Sequence, residues 1–196
     1  MEVLKVNQES LVEEIKNNIE CANHKVGYCI VESPVVFVHR EKQIDKETCE
    51  AMNYKVYEAY YNGGTIVGGE GGIAVIHFER LDNGWMMRFL AYFLEWLKGK
   101  GLNATYESND ILVDGYKVCG LCVTRYGRID YTAGFIGINT NLDHIRAICR
   151  KPMVKVPKGL SDYGITTEEI EEMFLDFCRQ DGCVRNNPTI NYNHTT

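Results

Sequence analysis

Two segments of this 196-residue chain carry the side chains and backbone that could do chemistry. The first, residues 62–72, reads Asn-Gly-Gly-Thr-Ile-Val-Gly-Gly-Glu-Gly-Gly and runs into the apolar stretch Ile73 to Phe78. Glycine lets backbone approach a ligand closely and leaves amide N–H groups to line it. The second, residues 109–120, reads Asn-Asp-Ile-Leu-Val-Asp-Gly-Tyr-Lys-Val-Cys-Gly. It sets Lys117 between the tight turn Asp114-Gly115 and Gly120. A cationic head beside a bare backbone wall suits an acyl-adenylate or another mixed anhydride, because a fixed ammonium stabilises the negative charge that develops when such a group is attacked.

Each feature also has a plain reading. A glycine run is most often an unusual hairpin. This one is no P-loop, since no Gly-Lys-Ser/Thr follows it, and no dinucleotide fingerprint, since a strand rather than a helix comes next. A strand lysine is ordinarily a solvated surface residue. His77, on the strand after the glycine segment, is ordinarily a satisfied structural histidine; the functional reading puts it against the substrate. Cys119-Gly-Leu-Cys122 is a CxxC without a second pair, so no zinc site is expected and no metal ligand is assigned. Cys149 has Arg146, Arg150 and Lys151 nearby, which would lower a thiol pKa, but its surroundings do not resemble those of a nucleophile.

The net charge of −6 excludes a general nucleic-acid binder, which needs a basic face. Eight cysteines and an N-terminus without a signal-peptide pattern point to reduced thiols in the cytoplasm. No apolar run reaches the length of a membrane span.

Elements must hold these residues in place. Leu11, Val12, Ile15 and Ile19 predict an amphipathic helix over 10–20. Strands are predicted at 27–31, 35–38, 54–60, 73–78, 111–113, 117–124 and 134–140, with a charged helix over 41–52. The glycine segment is expected to be a hairpin or loop with several positive φ angles. Phe89, Leu90, Phe93, Leu94 and Leu97 mark the clearest helix, Trp85 to Lys98, ended by Gly99 and Gly101. Asp114-Gly115 is a two-residue hairpin signal. A short helix follows from Leu142 to Cys149, and Pro152 and Pro157 mark a loop. Thr166-x-x-Glu169 opens a last helix whose buried stripe is Ile170, Met173, Phe174 and Phe177. The fold class is α+β, a mixed, largely antiparallel sheet with flanking helices. One domain is expected over 1–180, with a loose tail over 181–196.

The two motifs resemble the biotin/lipoate protein ligase superfamily, and most closely its lipoate–protein ligase branch. There the first frame reads Arg-Arg-x-Ser-Gly-Gly-Gly, a small apolar trio, His-Asp, Gly-Asn and a strand. Here Glu58-Ala-Tyr-Tyr-Asn-Gly-Gly64, Thr65-Ile-Val67 and Gly68-Gly-Glu-Gly-Gly72 keep the spacing and most glycines. Both arginines, the serine and the His-Asp pair are absent. The second frame, Asn-Asp, an apolar pair or trio, a turn and Lys-Ile/Val-Ser/Ala-Gly, matches Asn109 to Gly120. Looser likeness runs from about residue 9 to 178. It includes Pro34 to Gln43, where His39 replaces a glycine, residues 131–143, and the Gly159 to Phe177 region.

The resemblance implies a fold related to class II aminoacyl-tRNA synthetase cores. It implies ATP and Mg²⁺ as cofactors, lipoate or a related acyl group as substrate, and a lipoyl-acceptor domain as partner, with no nucleic acid and no membrane. By resemblance Lys117 is catalytic and contacts the acyl carbonyl and phosphate. Gly63, Gly64, Gly68, Gly69, His77, Cys119 and Gly120 line the substrate, and Asn109 and Asp110 hold the nucleotide. The accessory C-terminal domain of many such ligases is not expected in this chain. With the arginine pair missing as well, the alternatives are transfer of a preformed acyl group, dependence on a second subunit, or binding without turnover.

Overall fold

A computed structural model of the chain describes residues 2–11, 13, 25–40, 43–58, 65–80, 84–126 and 129–186. Its strands are β1 (Glu2–Lys5), β2 (Lys25–Ile30), β3 (Val35–Val38), β4 (Lys55–Glu58), β5 (Ile66–Gly68), β6 (Ile73–Arg80), β7 (Ala104–Glu107), β8 (Asp110–Val113), β9 (Tyr116–Tyr126) and β10 (Ile129–Ile136). The helices are α1 (Lys46–Ala51), α2 (Trp85–Gly99), α3 (Leu142–Ile148) and α4 (Thr167–Asn186), with a 3₁₀ turn at Leu160–Tyr163. Seven strands form one sheet in the order β1-β2-β6-β10-β9-β8-β7, and three form a second in the order β4-β3-β5. Among the described strands only β1 with β2 and β3 with β4 pair in parallel. The molecule is therefore α+β, with a mixed and largely antiparallel sheet carrying helices.

Side chains alternate along β6 and feed two cores. Ile73 and Val75 face α2 and α4, where they join Trp85, Phe89, Phe93, Phe174 and Phe177. Ala74, Ile76 and Phe78 face the other way, against Tyr131 and against Val35 and Phe37 of the small sheet. A third cluster of Val36, Val38, Ile44, Cys49, Tyr54 and Ile148 fills the space between the small sheet, α1 and α3. Burial on both faces explains why the first half of β6, Ile73 to Ile76, is apolar at every position.

Local signals are realised in detail. Val113 pairs with Tyr116 across Asp114 and Gly115, whose φ angles of 52° and 82° are those of a primed two-residue hairpin turn. The Thr166 backbone N–H donates to the Glu169 carboxylate at 3.0 Å, and the Glu169 N–H donates to Thr166 Oγ1 at 3.3 Å, a reciprocal capping box. Gly101 takes the positive φ just past α2.

Other expectations are corrected. Strand β10 ends at Ile136 rather than Thr140. The chain then turns away, and Asn139 Nδ2 donates to the Glu70 carbonyl at 2.8 Å. The last helix runs on to Asn186, and Asp181, expected in a loose tail, is buried and lies 2.6 Å from Arg88 Nε. Strand β1 was not foreseen. Helix α1 starts only at Lys46, because Ile44 pairs with Cys149 and Asp45 caps the helix through the Thr48 N–H at 3.0 Å. Most of the 10–20 helix lies outside the described residues. Among the described residues no helix is long and apolar enough to cross a membrane.

Candidate functional site

Lys117 reaches its position through an irregularity in the β8–β9 ladder. Lys117 pairs with Leu112, yet Cys119 rather than Val118 pairs with Ile111, so one extra residue is accommodated on β9. Such bulges re-aim side chains beside functional sites. The Lys117 backbone is taken up by the loop that follows α3. Its N–H donates to the Val156 carbonyl at 2.9 Å, and its carbonyl accepts from the Lys158 N–H at 3.0 Å.

Beside this strand lies a cavity of about 820 Å³. Its walls come from β5 (Ile66, Val67), the start of β8 and β9 (Asp110, Lys117 to Gly120), the end of β10 and the turn after it (Phe135, Gly137, Thr140), α3 with Cys149 after it (Ile145, Cys149), and the loop from Lys151 to Lys158. Its buried and partly buried members include an apolar group: Ile66, Val67, Val118, Cys119, Phe135, Ile145 and Met153. Four lysines, Lys117, Lys151, Lys155 and Lys158, face two carboxylates, Glu107 and Asp110, leaving the lining positive in a chain of net charge −6. An apolar pouch with a cationic side suits a ligand with a hydrocarbon body and an anionic head.

The charges are organised around Asp110. One oxygen lies 2.8 Å from Lys117 Nζ and the other 2.9 Å from Lys155 Nζ. Burial opposes the Lys155 charge, but hydrogen bonding to Asp110 and the charges of Asp110 and Glu107 outweigh it and hold its pKa above the ordinary lysine value. Gly120 makes the arrangement possible. A Cβ there would lie 2.6 Å from Lys117 Cε and Nζ and 2.8 Å from Asp110 Oδ1.

Of the residues singled out in the sequence, Lys117, Asp110, Cys119 and Gly120 meet in this cavity. Asn109 sits in the exposed β7–β8 turn, outside the lining, where its carbonyl accepts from Leu121 N–H at 3.0 Å. Gly63 and Gly64 lie outside the described residues. Gly68 and Gly69 are not in the lining either. A Cβ on Gly68 would lie 2.7 Å from the Phe135 ring, and one on Gly69 would lie 1.9 Å from the Asn139 carbonyl oxygen. Their bareness serves protein packing. Within residues 65–72 only Gly71 has a positive φ, not several. His77 is displaced altogether: it is buried and stacks on Trp85 at 4.3 Å on the helix side of the sheet.

Cys119 is fully buried, and loss of water raises its pKa to about 12. Cys149 does line the cavity, but burial first and the neighbouring Cys49 second raise its pKa, contrary to the lowering that nearby cations suggested. Neither thiol is activated. Among the described residues no three His, Cys, Asp or Glu side chains cluster as a metal site, and the one partly buried carboxylate of the cavity already carries two ammoniums. The residues present do not fit a resident divalent cation; they fit an anion.

Lys155 and Lys158 went unnoticed in the sequence, where Pro152 and Pro157 marked only a loop and Lys151 was weighed only as a neighbour of Cys149. The available signal was charge. Arg150, Lys151, Lys155 and Lys158 fall within nine residues that hold no acid.

Comparison with known proteins places this architecture. A bi-partite lipoate protein ligase from Thermoplasma acidophilum, described with its E2 lipoyl domain, superposes with a TM-score of 0.76 at 11% identity, over 90% of this chain and 81% of that one. P. falciparum LipL1 in complex with lipoate gives 0.74 at 15% identity, over 97% of this chain and 64% of that one. A lipoate-protein ligase A bound with ATP gives 0.72 at 13% identity, over 90% and 82%. At such identities the likeness is one of fold. A search of curated protein sequences finds no match. The family model of the lipoyl protein ligase A/B catalytic domain matches residues 7–177. That match spans most of the sequence, and the chain belongs to the lipoyl protein ligase A/B catalytic domain family.

Proposed function

We propose that this protein transfers lipoate, or a related acyl group, from an acyl-adenylate to a lysine of an acceptor lipoyl domain. The observation that carries the reading is the position of Lys117, whose ammonium stands where an apolar cavity meets a cationic side. The acyl chain lies among Ile66, Val67, Phe135 and Met153, and its mixed anhydride reaches the lysines. The acceptor amine attacks the acyl carbonyl carbon and forms the amide bond. The bond from that carbon to the phosphate oxygen breaks, AMP leaves with the electron pair, and the spare amine proton passes to solvent. Lys117 holds the oxygens on which negative charge gathers. Cys119 and Gly120 form the wall behind it, and Asp110 holds its ammonium in place.

Family membership supports the acyl-adenylate route, in which ATP first activates the acid. The likeness to a ligase described with its E2 lipoyl domain supports the acceptor. Mg²⁺ would enter only with the nucleotide, and no step is assigned to it. The free thiols among the described cysteines suit a reducing compartment such as the cytoplasm.

A second reading, binding of an acyl or nucleotide ligand or of a lipoyl domain without turnover, is favoured by one observation. Glu58, an exposed carboxylate, ends β4 at the approach to the glycine segment, in the frame where the family carries its arginines.

Intact-mass analysis of an apo-lipoyl domain separates these readings. One sample receives lipoate, ATP and Mg²⁺, another preformed lipoyl-AMP, each with wild type and with Lys117→Ala. A lipoyl mass gain from lipoyl-AMP is expected, slowed about 10²- to 10³-fold by the substitution. Gain from lipoate and ATP as well makes the chain a complete ligase. No gain with any acyl donor rejects the transfer reading and leaves a binding protein.

A further inference from the structure

The loop after α3, tied to β9 by backbone hydrogen bonds, also reaches β7 and β8 through a side chain. Lys155 projects from that loop to the free oxygen of Asp110, at 2.9 Å, and donates to the Glu107 carbonyl at 3.0 Å. Its side chain is 17% exposed, against 38% for Lys117. A lysine this sheltered loses hydration that a surface ion pair would not restore. The exchange is favourable here because Asp110 and Glu107 both face it. An ammonium has three N–H donors. Asp110 and the Glu107 carbonyl take the two short contacts, and the exposed Glu107 carboxylate stands farther off at 3.5 Å, a contact that an anionic ligand can replace.

We propose that Lys155 is the second cation of the ligand site. Together with Lys117 it grips the anionic linkage of an acyl phosphodiester, and Asp110 is the positioning residue that holds both ammoniums to one carboxylate. This rests on the reading of the cavity as an acyl-adenylate site. The charges agree with it. The four lysines and two carboxylates of the lining leave it positive, and an acyl phosphodiester is an anion. The loop thus supplies a cation to a chain whose glycine segment lacks the family's arginines. Because Lys117 and Lys158 exchange backbone hydrogen bonds with this loop and strand, the second cation cannot drift far from the first.

The test uses the full chain and a non-hydrolysable lipoyl sulfamoyl adenosine, an anionic analogue of the adenylate, titrated by calorimetry at low and moderate salt. Lys155→Ala is expected to weaken binding about tenfold or more, the usual size of a lost charge-assisted hydrogen bond, and to flatten the salt dependence. Lys155→Arg is expected to recover most of the affinity. In acyl transfer from preformed lipoyl-AMP, Lys155→Ala is expected to raise KM more than it lowers kcat. Thermal unfolding of each variant establishes that it is folded. Wild-type affinity and salt dependence in Lys155→Ala would overturn the inference while leaving the transfer reading intact. Failure of Lys155→Arg to recover binding would also overturn it, because the loss would then come from loop placement rather than charge. If the wild type neither binds the analogue nor modifies an acceptor, the inference and the transfer reading fall together.

Discussion

Gly120 is the residue on which the arrangement of charge depends. Any side chain there would occupy the ground on which Lys117 and Asp110 meet. The displaced atoms are the ends of flexible side chains, so the fold can yield while the site cannot. Gly120→Ala is expected to change stability by less than about 1 kcal/mol. It should nevertheless cut acyl transfer by an order of magnitude or more; denaturant melts beside mass-gain rates check both halves. The sequence revealed Lys117 and Gly120 because an Asp-Gly turn and a glycine bracket the lysine within one short window. Lys155 was hidden. It lies 45 positions from Asp110 in the chain, and only folding brings them together. His77 misled because proximity in sequence to the glycine segment is not proximity to the cavity. The strand alternates, and its imidazole falls on the helix side.

Elements with strong local chemistry were legible in the sequence. The α2 stripe, the capping box of α4 and the hairpin between β8 and β9 each rest on residues within a few positions of one another. Phe89 shows what the α2 stripe is for. It is fully buried and stacks or packs edge-on against Trp85, Phe93, Phe174 and Phe177. Phe89→Ala is expected to cost about 3–5 kcal/mol, measured by chemical denaturation, since four aromatic neighbours cannot close over the gap. The end of β10 was misplaced because residues 137–140 look like strand, yet after the Gly137 N–H donates to the Val118 carbonyl of β9 the chain leaves the sheet and Asn139 Nδ2 donates to the Glu70 carbonyl. Strand β1 was missed because four residues carry too little pattern. It exists by pairing with β2, a tertiary effect.

At the scale of the molecule, the large sheet is closed on its helical face by ties between its edge and α4. Glu171 accepts from Lys5 at 2.7 Å and from the Tyr28 hydroxyl at 2.8 Å, joining β1 and β2 to that helix. Burial pushes the Glu171 pKa up, but the hydrogen bonds from Lys5 and Tyr28 outweigh it and bring it below the ordinary glutamate value. A depressed carboxylate pKa stabilises the fold above the unfolded value of about 4.3. That contribution is lost as pH falls through the folded value. The stability gap between wild type and Glu171→Gln, followed by urea unfolding from pH 7 to pH 3, is therefore expected to be widest near neutrality and to close on the acid side. The family itself was legible because each of its two motifs is a short continuous run of sequence. The lysines that join Lys117 on the cationic side of the cavity were not, because they come from a loop outside both motifs.

The glycines at 68, 69 and 72 bear on ancestry as much as on packing. Phe135 and the Asn139 backbone press into them, so the framework needs them whether or not anything is bound above. Descendants that abandoned or altered the reaction would keep this signature under the demands of folding alone. The glycine pattern is accordingly a mark of lineage, and evidence of an active member is better sought in the charged side chains around Asp110.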